Sequence, residues 1–329
     1  MHPWIHKPLG LAVDYAAFRM LNFWHWRHHI HASTPRELEE YRLNASDRTD
    51  ADYFGIEGAA AVPLEDRPDG RPRTLIFDTP HPCDIGENNR VVVDVFQTRP
   101  WEGAPVLIFL HGFMSASDTG YRLWARLLNR RGSNALFFHL PYHYARRPAG
   151  YVSGELAISS NIVRLAEGLR QAVKEQRVVL QTLRNRGARK VGLFGMSYGG
   201  WVSALTASVE TPDMVVLCEP IVDIEHVMWE SLAARTMRRQ LQDRGVTREL
   251  LSPMIRKVNP LVKTTRVPGR DMLFLAGEYD RIGPPEYVEA LARKWGAHYR
   301  MYRQGHCGYK LQHAGWKDMQ ELLLERFLG

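Results

Sequence analysis

The stretch KVGLFGMSYGGWVSAL, residues 190–205, decides the fold. Apolar and β-favouring residues run into Gly195, and residues that suit a helix follow Gly200. This pattern is typical of a buried strand that turns sharply into a helix. Ser197 stands at the corner between glycines. The corner is therefore either simply tight, or it holds the serine out for chemistry.

Short apolar runs alternate with amphipathic segments on both sides of this stretch. The runs at 105–112 and 134–141 are short and mainly apolar, which indicates strands buried on both faces of a parallel sheet. Further strands of the same sheet are predicted at 189–195, 213–220, 270–280 and 298–306. Two earlier runs, 73–80 and 90–100, predict an antiparallel pair. The alternation predicts an α/β fold with a mostly parallel, doubly wound sheet and helices on both faces.

The chain of 329 residues is 45% apolar and 24% charged, which is an ordinary globular composition. We expect residues 73–329 to form one domain. Residues 221–266 break the alternation and predict a helical cap insertion. Residues 1–72 predict an N-terminal extension packed on the core, with one amphipathic helix over 1–34 and an irregular segment over 35–72.

The corner itself matches the pattern G-x-S-x-G of a nucleophile elbow, in GMSYG at 195–199. Small neighbours allow the helix to pack close to the strand, so that the Ser197 hydroxyl projects above the sheet. The helix N-terminus places backbone N–H groups near developing negative charge. Because a strand and a helix flank the motif, a nucleophile role for Ser197 is favoured over a corner that is merely tight.

A serine nucleophile needs a base and an orienting acid, and both are sought at the carboxyl ends of later strands. His306 follows the last strand on a glycine-rich loop and is the preferred base, with His143 as the alternative. Asp280 follows the preceding strand and is the preferred acid. Asp223 and Glu278 remain alternatives. Along the chain, Ser197, Asp280 and His306 follow the order nucleophile, acid, base, which is typical of enzymes with a nucleophile elbow.

Two backbone N–H groups are expected to form an oxyanion hole. One belongs to Tyr198, directly after the nucleophile. The other belongs to Phe113, where His111 and Gly112 turn the chain after a strand. This position gives His111 a structural task and removes it from the candidate bases.

Four motifs occur together in the order HGF (111–113), GMSYGG (195–200), GEYDRIGPP (277–285) and GHCG (305–308). On these motifs the chain resembles the α/β-hydrolase superfamily, as a serine esterase-like or lipase-like member. The stretch PYHYARRPAG (141–150) and the long helix before the elbow are similar to those of abhydrolase-domain proteins. The resemblance covers about residues 73–329. It implies an eight-stranded type of sheet and a Ser-His-Asp triad, with neither metal nor organic cofactor.

The expected activity is hydrolysis of a carboxylic ester through an acyl-enzyme. The substrate would be a small-molecule or lipid-like ester. Thioesterase, amidase and acyltransferase activities remain open, because they use the same acyl-enzyme. A non-catalytic, hydrolase-like binding protein is the remaining alternative.

Charge and cysteine content give expectations about partners and compartment. The formal net charge is +7, but Lys and Arg are scattered, so we expect no nucleic-acid partner. The three cysteines are an odd and sparse count that gives no disulfide framework and favours a reducing, cytoplasmic setting.

Aromatic and basic residues in 1–34 are compatible with peripheral membrane contact. The alternative is a helix packed on the main domain. Polar interruptions in 9–30 argue against a membrane-spanning helix. His25, His28, His29 and His31 have spacings that could hold a metal, although such runs at a helix end are more often solvated.

Overall fold

Eight strands form one mostly parallel sheet in the computed structural model, which describes residues 3–27, 31–307 and 310–329. The strands lie in the order β1-β2-β4-β3-β5-β6-β7-β8. Strand β2 is antiparallel to both of its neighbours, and β4, β3, β5, β6, β7 and β8 are parallel to one another. Their bounds are β1 Arg73–Asp78, β2 Arg90–Phe96, β3 Pro105–Leu110, β4 Asn134–His139, β5 Lys190–Met196, β6 Met214–Cys218, β7 Met272–Gly277 and β8 His298–Tyr302.

The helices fall before, between and after these strands. They are α1 Pro3–Arg27, α2 Pro35–Tyr41, α3 Asp50–Tyr53, α4 Thr119–Arg130, α5 Ile162–Asn185, α6 Tyr198–Val209, α7 Ile224–Trp229, α8 Arg235–Gln242, α9 Arg248–Val258, α10 Pro285–Trp295, α11 Lys310–Met319 and α12 Glu325–Leu328. A π-helical turn continues α2, and another joins α11 to α12.

Helices cover both faces of the sheet, as alternating side chains of the central strand β3 show. Ile108 lies in the same buried cluster as Leu169 of α5. The next residue, Phe109, points to the opposite face. There it shares a cluster with Leu128 of α4, and its ring lies 5.9 Å from that of Tyr121. The expected α/β-hydrolase architecture, with a doubly wound sheet, is therefore confirmed.

The segment after α1 is more ordered than the sequence suggested. Thr34 and Glu37 form a capping box, and Pro35 occupies the first turn, so a helix begins where we expected irregular chain. The prediction of an irregular 35–72 is therefore wrong for its first part. The predicted helix over 1–34 also ends earlier, since residues 31–34 are not helical. A residue before proline disfavours helix, which explains a break at Thr34.

Helix α1 packs against the segment between β6 and β7. It contacts α8 and the short turn before it, and the Asn22 side chain accepts from the Thr236 N–H and donates to the Leu232 carbonyl. Helices α7, α8 and α9 all lie in this segment, which occupies the range expected for a cap. Within the described ranges, no helix has the length and apolar character needed to cross a membrane.

Candidate active site

Ser197 occupies the corner between β5 and α6. Its backbone has φ 51° and ψ −112°, a conformation that non-glycine residues rarely adopt. The Ser197 N–H donates to the Cys218 carbonyl at 2.8 Å, which fixes the corner to β6. A Cβ atom on Gly199 would lie 2.3 Å from the Leu110 carbonyl oxygen, so only glycine allows α6 to approach β3 this closely.

Three side chains from separate strand ends meet at this corner. Ser197 Oγ lies 2.7 Å from His306 Nε2, and His306 Nδ1 lies 2.7 Å from Asp280 Oδ2. The other Asp280 oxygen accepts the N–H groups of Ile282 and Gly283, each at 2.8 Å. An Nδ1–H that donates to Asp280 leaves Nε2 free to accept the Ser197 proton. The structure thus brings together the preferred serine, base and acid.

The environment of His306 favours its charged form. Burial lowers the pKa of His306, but the charge and hydrogen bond of Asp280 oppose it. Together with the charges of Glu219 and Asp14 they raise this pKa to about 9. An imidazolium formed during proton transfer would therefore be well stabilised here.

Two acidic residues near His306 escaped the sequence analysis. Glu219 directly follows β6, is buried, and accepts from Gln304 Nε2 at 2.6 Å. Burial raises its pKa well above the usual range. The sequence could have revealed Glu219, because it is the first residue after a parallel strand, where site residues were sought. Asp14 lies on α1 and carried no such signal, since its position depends on how a distant helix packs.

His143, the alternative base, and His111, which the sequence analysis had excluded as a base, are both engaged within the core. His111 and His143 are fully buried, with ring centroids 4.7 Å apart. His111 Nδ1 pairs with the Gly112 carbonyl, and its Nε2 accepts the Leu140 N–H. Burial lowers the pKa of both rings, that of His143 to about 4. Neither ring makes a hydrogen bond to Ser197.

The alternative acids are also engaged elsewhere. Asp223 caps helix α7 by accepting the N–H groups of Glu225 and His226. Glu278 lies 3.7 Å from Arg303 in a partly exposed ion pair. Asp280 is therefore the acid that hydrogen-bonds His306.

The expected oxyanion donors both border the serine. Tyr198 is the first residue of α6, so its N–H has no partner within the helix. A Cβ atom on Gly112 would lie 3.6 Å from Ser197 Cβ, which brings the turn containing Phe113 against the nucleophile. Both N–H groups therefore lie on elements that contact the corner.

A cavity of about 400 Å³ is lined by Ser197 and His306. Its wall is mostly apolar and is formed by several parts of the chain. Helix α1 contributes Met20 and Leu21, and the β6–β7 segment contributes Met228 and Met237. Trp229 and Leu232 belong to the same segment but do not line the cavity. Leu232 is instead exposed.

The histidines near the end of α1 do not form a cluster among the described residues. His25 is buried, and its Nε2 pairs with the Ile158 carbonyl at 3.0 Å. His31 pairs with Glu37 at 3.0 Å. His28 and His29 lie outside the described residues. Nowhere in the described ranges do three or more His, Cys, Asp or Glu side chains group as metal ligands would.

Solved structures share this fold. An acetyl xylan esterase from Paenibacillus has a TM-score of 0.60 at 16% identity, covering 88% of this chain and 99% of its own. Acetyl xylan esterase 1 from Thermoanaerobacterium has a TM-score of 0.55 at 17% identity, covering 93% and 98%. At this identity the likeness concerns the fold.

Sequence comparison identifies closer relatives and a family. Uncharacterized proteins from two strains of Mycobacterium tuberculosis are 29% identical over 257 residues. The match covers 71% of this chain and 60% of each relative, so the chain corresponds to about three fifths of their length. Residues 97–306, more than half of the chain, match the family described as alpha/beta hydrolase domain containing 18. With its sheet, elbow and motif order, the chain belongs to this family of the α/β-hydrolase superfamily.

Proposed function

We propose that the protein is a serine hydrolase that cleaves a carboxylic ester through an acyl-enzyme. The contact chain from Ser197 through His306 to Asp280, with both distances at 2.7 Å, carries this proposal. The family and the fold support a hydrolase in general. The specific reaction rests on the site.

Each residue has one task in the proposed mechanism. Ser197 Oγ attacks the acyl carbon as its proton passes to His306 Nε2, while Asp280 accepts the Nδ1–H and stabilises the imidazolium. The N–H groups of Phe113 and Tyr198 hold the oxyanion. Nε2 then protonates the leaving alkoxide. In the second half, Nε2 accepts a proton from water as the water oxygen attacks the acyl carbon. Nε2 then returns this proton to Ser197 Oγ as the bond to the acyl carbon breaks and the acid leaves.

The cavity supports an ester with an apolar acyl chain. Apolar side chains dominate its wall, and burial of each CH₂ group is worth about 0.8 kcal/mol. We infer that residues 221–266 act as a cap over the acyl chain, since Met228 and Met237 of this segment line the cavity. A series of p-nitrophenyl esters from acetate to palmitate measures the preferred length. Met237→Trp should shift that preference to shorter chains, while acetate turnover stays unchanged.

The test of the reaction is Ser197→Ala, with Ser208→Ala as the matched control. Ser208 lies on the same helix and hydrogen-bonds the Leu205 carbonyl, outside the site. We expect the wild type and Ser208→Ala to hydrolyse p-nitrophenyl esters and to be labelled by a fluorophosphonate. Ser197→Ala should do neither. An active Ser197→Ala variant rules out the assignment.

The same assay separates the alternative functions. Faster cleavage of a matched thioester or amide would identify a thioesterase or amidase, and transfer to an added alcohol would identify an acyltransferase. A wild-type protein that resists the fluorophosphonate and hydrolyses none of these substrates would be a binding protein.

We also propose that the outer face of α1 contacts a lipid surface. This face consists of Leu9, Val13, Met20, Phe23 and Trp26, which are 41% to 67% exposed. Met20 also lines the cavity, so the exposed apolar face continues into the wall of the acyl site. The net charge of +7 favours anionic lipid.

Flotation with vesicles of phosphatidylcholine, with and without phosphatidylglycerol, tests this contact. The wild type should float with the anionic vesicles, and the double variant Phe23→Ser, Trp26→Ser should float less. Leu123→Ser is the control, because Leu123 is 55% exposed on α4, outside this face. Equal flotation of all three proteins would remove α1 as the contact.

A further inference from the structure

Asp14 of α1 contacts the loop that carries His306. Its Oδ2 accepts the His306 N–H at 2.9 Å, and its Oδ1 accepts the Cys307 N–H at 3.2 Å. Asp14 is 1% exposed, which is unusual for a carboxylate unless both oxygens have partners. The carboxylate thus binds two consecutive amides of the loop between β8 and α11.

The backbones on both sides of this contact are shaped for it. A Cβ atom on Gly305 would lie 2.7 Å from both Asp14 oxygens. A Cβ atom on Gly10 would lie 2.9 Å from the Gly305 N atom. Gly10 and Asp14 are one helical turn apart on the same face of α1. The helix therefore meets the loop over a full turn, and a side chain at either glycine would push the two apart.

We propose that Asp14 is a positioning residue for the hydrolase: it fixes the loop that carries His306 through two backbone hydrogen bonds, so that Nε2 stays aligned with Ser197 Oγ. The proposal rests on the function proposed above. Asp14 touches neither the nucleophile nor the base side chain through these bonds; it acts through the backbone. It lies outside residues 97–306, the part of the chain that matches the family. In this proposal, helix α1 helps to fix the geometry of the active site.

The charge of Asp14 adds an electrostatic effect that can be measured. Three carboxyl groups face the His306 region: Asp280 after β7, Glu219 after β6 and Asp14 on α1, and the Cys307 thiol is the adjacent titratable group. Burial raises the pKa of Asp14, and the two backbone N–H groups oppose this rise. The negative charge of Asp14 helps to raise the pKa of His306, so its removal should lower that pKa.

Asp14→Asn is the first variant, because it keeps the shape and one acceptor oxygen while removing the charge. We expect kcat for p-nitrophenyl acetate to fall by up to about 100-fold, the effect of a small misplacement of a catalytic group. KM for this short ester should change little. The rising limb of the pH profile should move to lower pH. Leu21→Ala is the control: it lies on α1 and lines the cavity, so it should alter long-chain KM and leave this limb unchanged.

Gly305→Ala perturbs the same contact from the loop side and should also lower kcat. If both substitutions act through one contact, the double variant Asp14→Asn, Gly305→Ala should lose less activity than the product of the single losses. Fully multiplicative losses, together with an unchanged pH limb, would overturn the proposal.

A measurement without substrate separates this proposal from the proposed reaction. The ring of His306 is titrated by NMR in Ser197→Ala and in Ser197→Ala, Asp14→Asn, using specifically labelled histidine. A lower His306 pKa in the second protein supports the role of Asp14, even if no ester proves to be a substrate. An identical His306 pKa in both, with wild-type kcat in Asp14→Asn, overturns it. If the fluorophosphonate fails to label Ser197 in the wild type, that result counts against the proposed reaction but not against the role of Asp14.

Discussion

At the residue scale, Ser197 has a strained backbone conformation at the corner between β5 and α6. Its φ of 51° places a non-glycine residue in a sparsely populated region, which costs about 1–3 kcal/mol. The surrounding strand, helix and Cys218 hydrogen bond hold it there. The chain accepts this strain because the same conformation lifts the hydroxyl toward His306.

This strain predicts a difference in the free energy of unfolding between two variants that lack the Ser197 hydroxyl. Ser197→Gly should be more stable than Ser197→Ala by about 1 kcal/mol, because glycine adopts positive φ freely and alanine keeps the Cβ. Urea unfolding of both proteins measures the difference in the free energy of unfolding. A glycine variant no more stable than the alanine variant would show that the corner is unstrained.

The pKa of His306 predicts an alkaline activity profile. The proposed mechanism needs neutral His306, so kcat/KM should rise with pH as the imidazolium loses its proton. With this pKa raised to about 9, the rising limb should lie well above the usual histidine value of 6.5. Initial rates with p-nitrophenyl acetate from about pH 6 to 10, corrected for spontaneous hydrolysis, provide the profile. A limb at or below pH 6.5 would contradict this environment.

Residues that follow strands could be found from the sequence, and residues placed by packing could not. Ser197, Asp280 and His306 each follow a strand that the apolar pattern reveals, and parallel strands bring their carboxyl ends to one edge. Glu219 obeys the same rule and could have been chosen. Asp14 obeys no local rule, since it reaches His306 only because α1 folds back over the domain.

At the element scale, a buried ion pair joins the β4–α5 connection to α5. Arg146 and Glu175 are fully buried and lie 2.7 Å apart. Arg146 also donates to the carbonyls of His139 and Asn88. These contacts hold the β4–α5 connection against His139 at the end of β4.

Breaking this pair should destabilise the fold strongly. Glu175→Gln leaves the Arg146 charge buried without its counter-ion, which costs about 3–5 kcal/mol in comparable pairs. Urea unfolding measures the loss. Glu40→Gln removes the partner of Arg36 in an exposed pair and should have no measurable effect. Similar stabilities of the two variants would contradict the buried pair's role.

The local sequence pattern predicts the boundaries of an element less accurately than it predicts the element itself. The pattern of the sequence predicted every strand of the sheet, and burial on both faces gives a continuous apolar signal in inner strands such as β3, in which every residue is buried. The amphipathic pattern of residues 155–186 predicts one long helix, but α5 begins only at Ile162, where Asn161 accepts the Arg164 N–H as a cap. Its first residues instead form turns, so local polarity alone did not mark the start.

At the scale of the whole molecule, the site joins parts of the chain that are far apart in sequence. The Asp14–His306 hydrogen bond spans 292 positions, and the Ser197–His306 contact spans 109. The cavity wall likewise combines α1 with the β6–β7 segment. No single continuous segment contains the complete arrangement.

The contact between Asp14 and His306 also bears on the chain during its synthesis. Because domains begin to fold while the ribosome is still adding residues, α1 is available long before the base and its loop emerge. A nascent chain that already displays Ser197 would still lack His306 and the partner amides of Asp14. The proposed activity would therefore require synthesis to pass His306, 109 positions after Ser197.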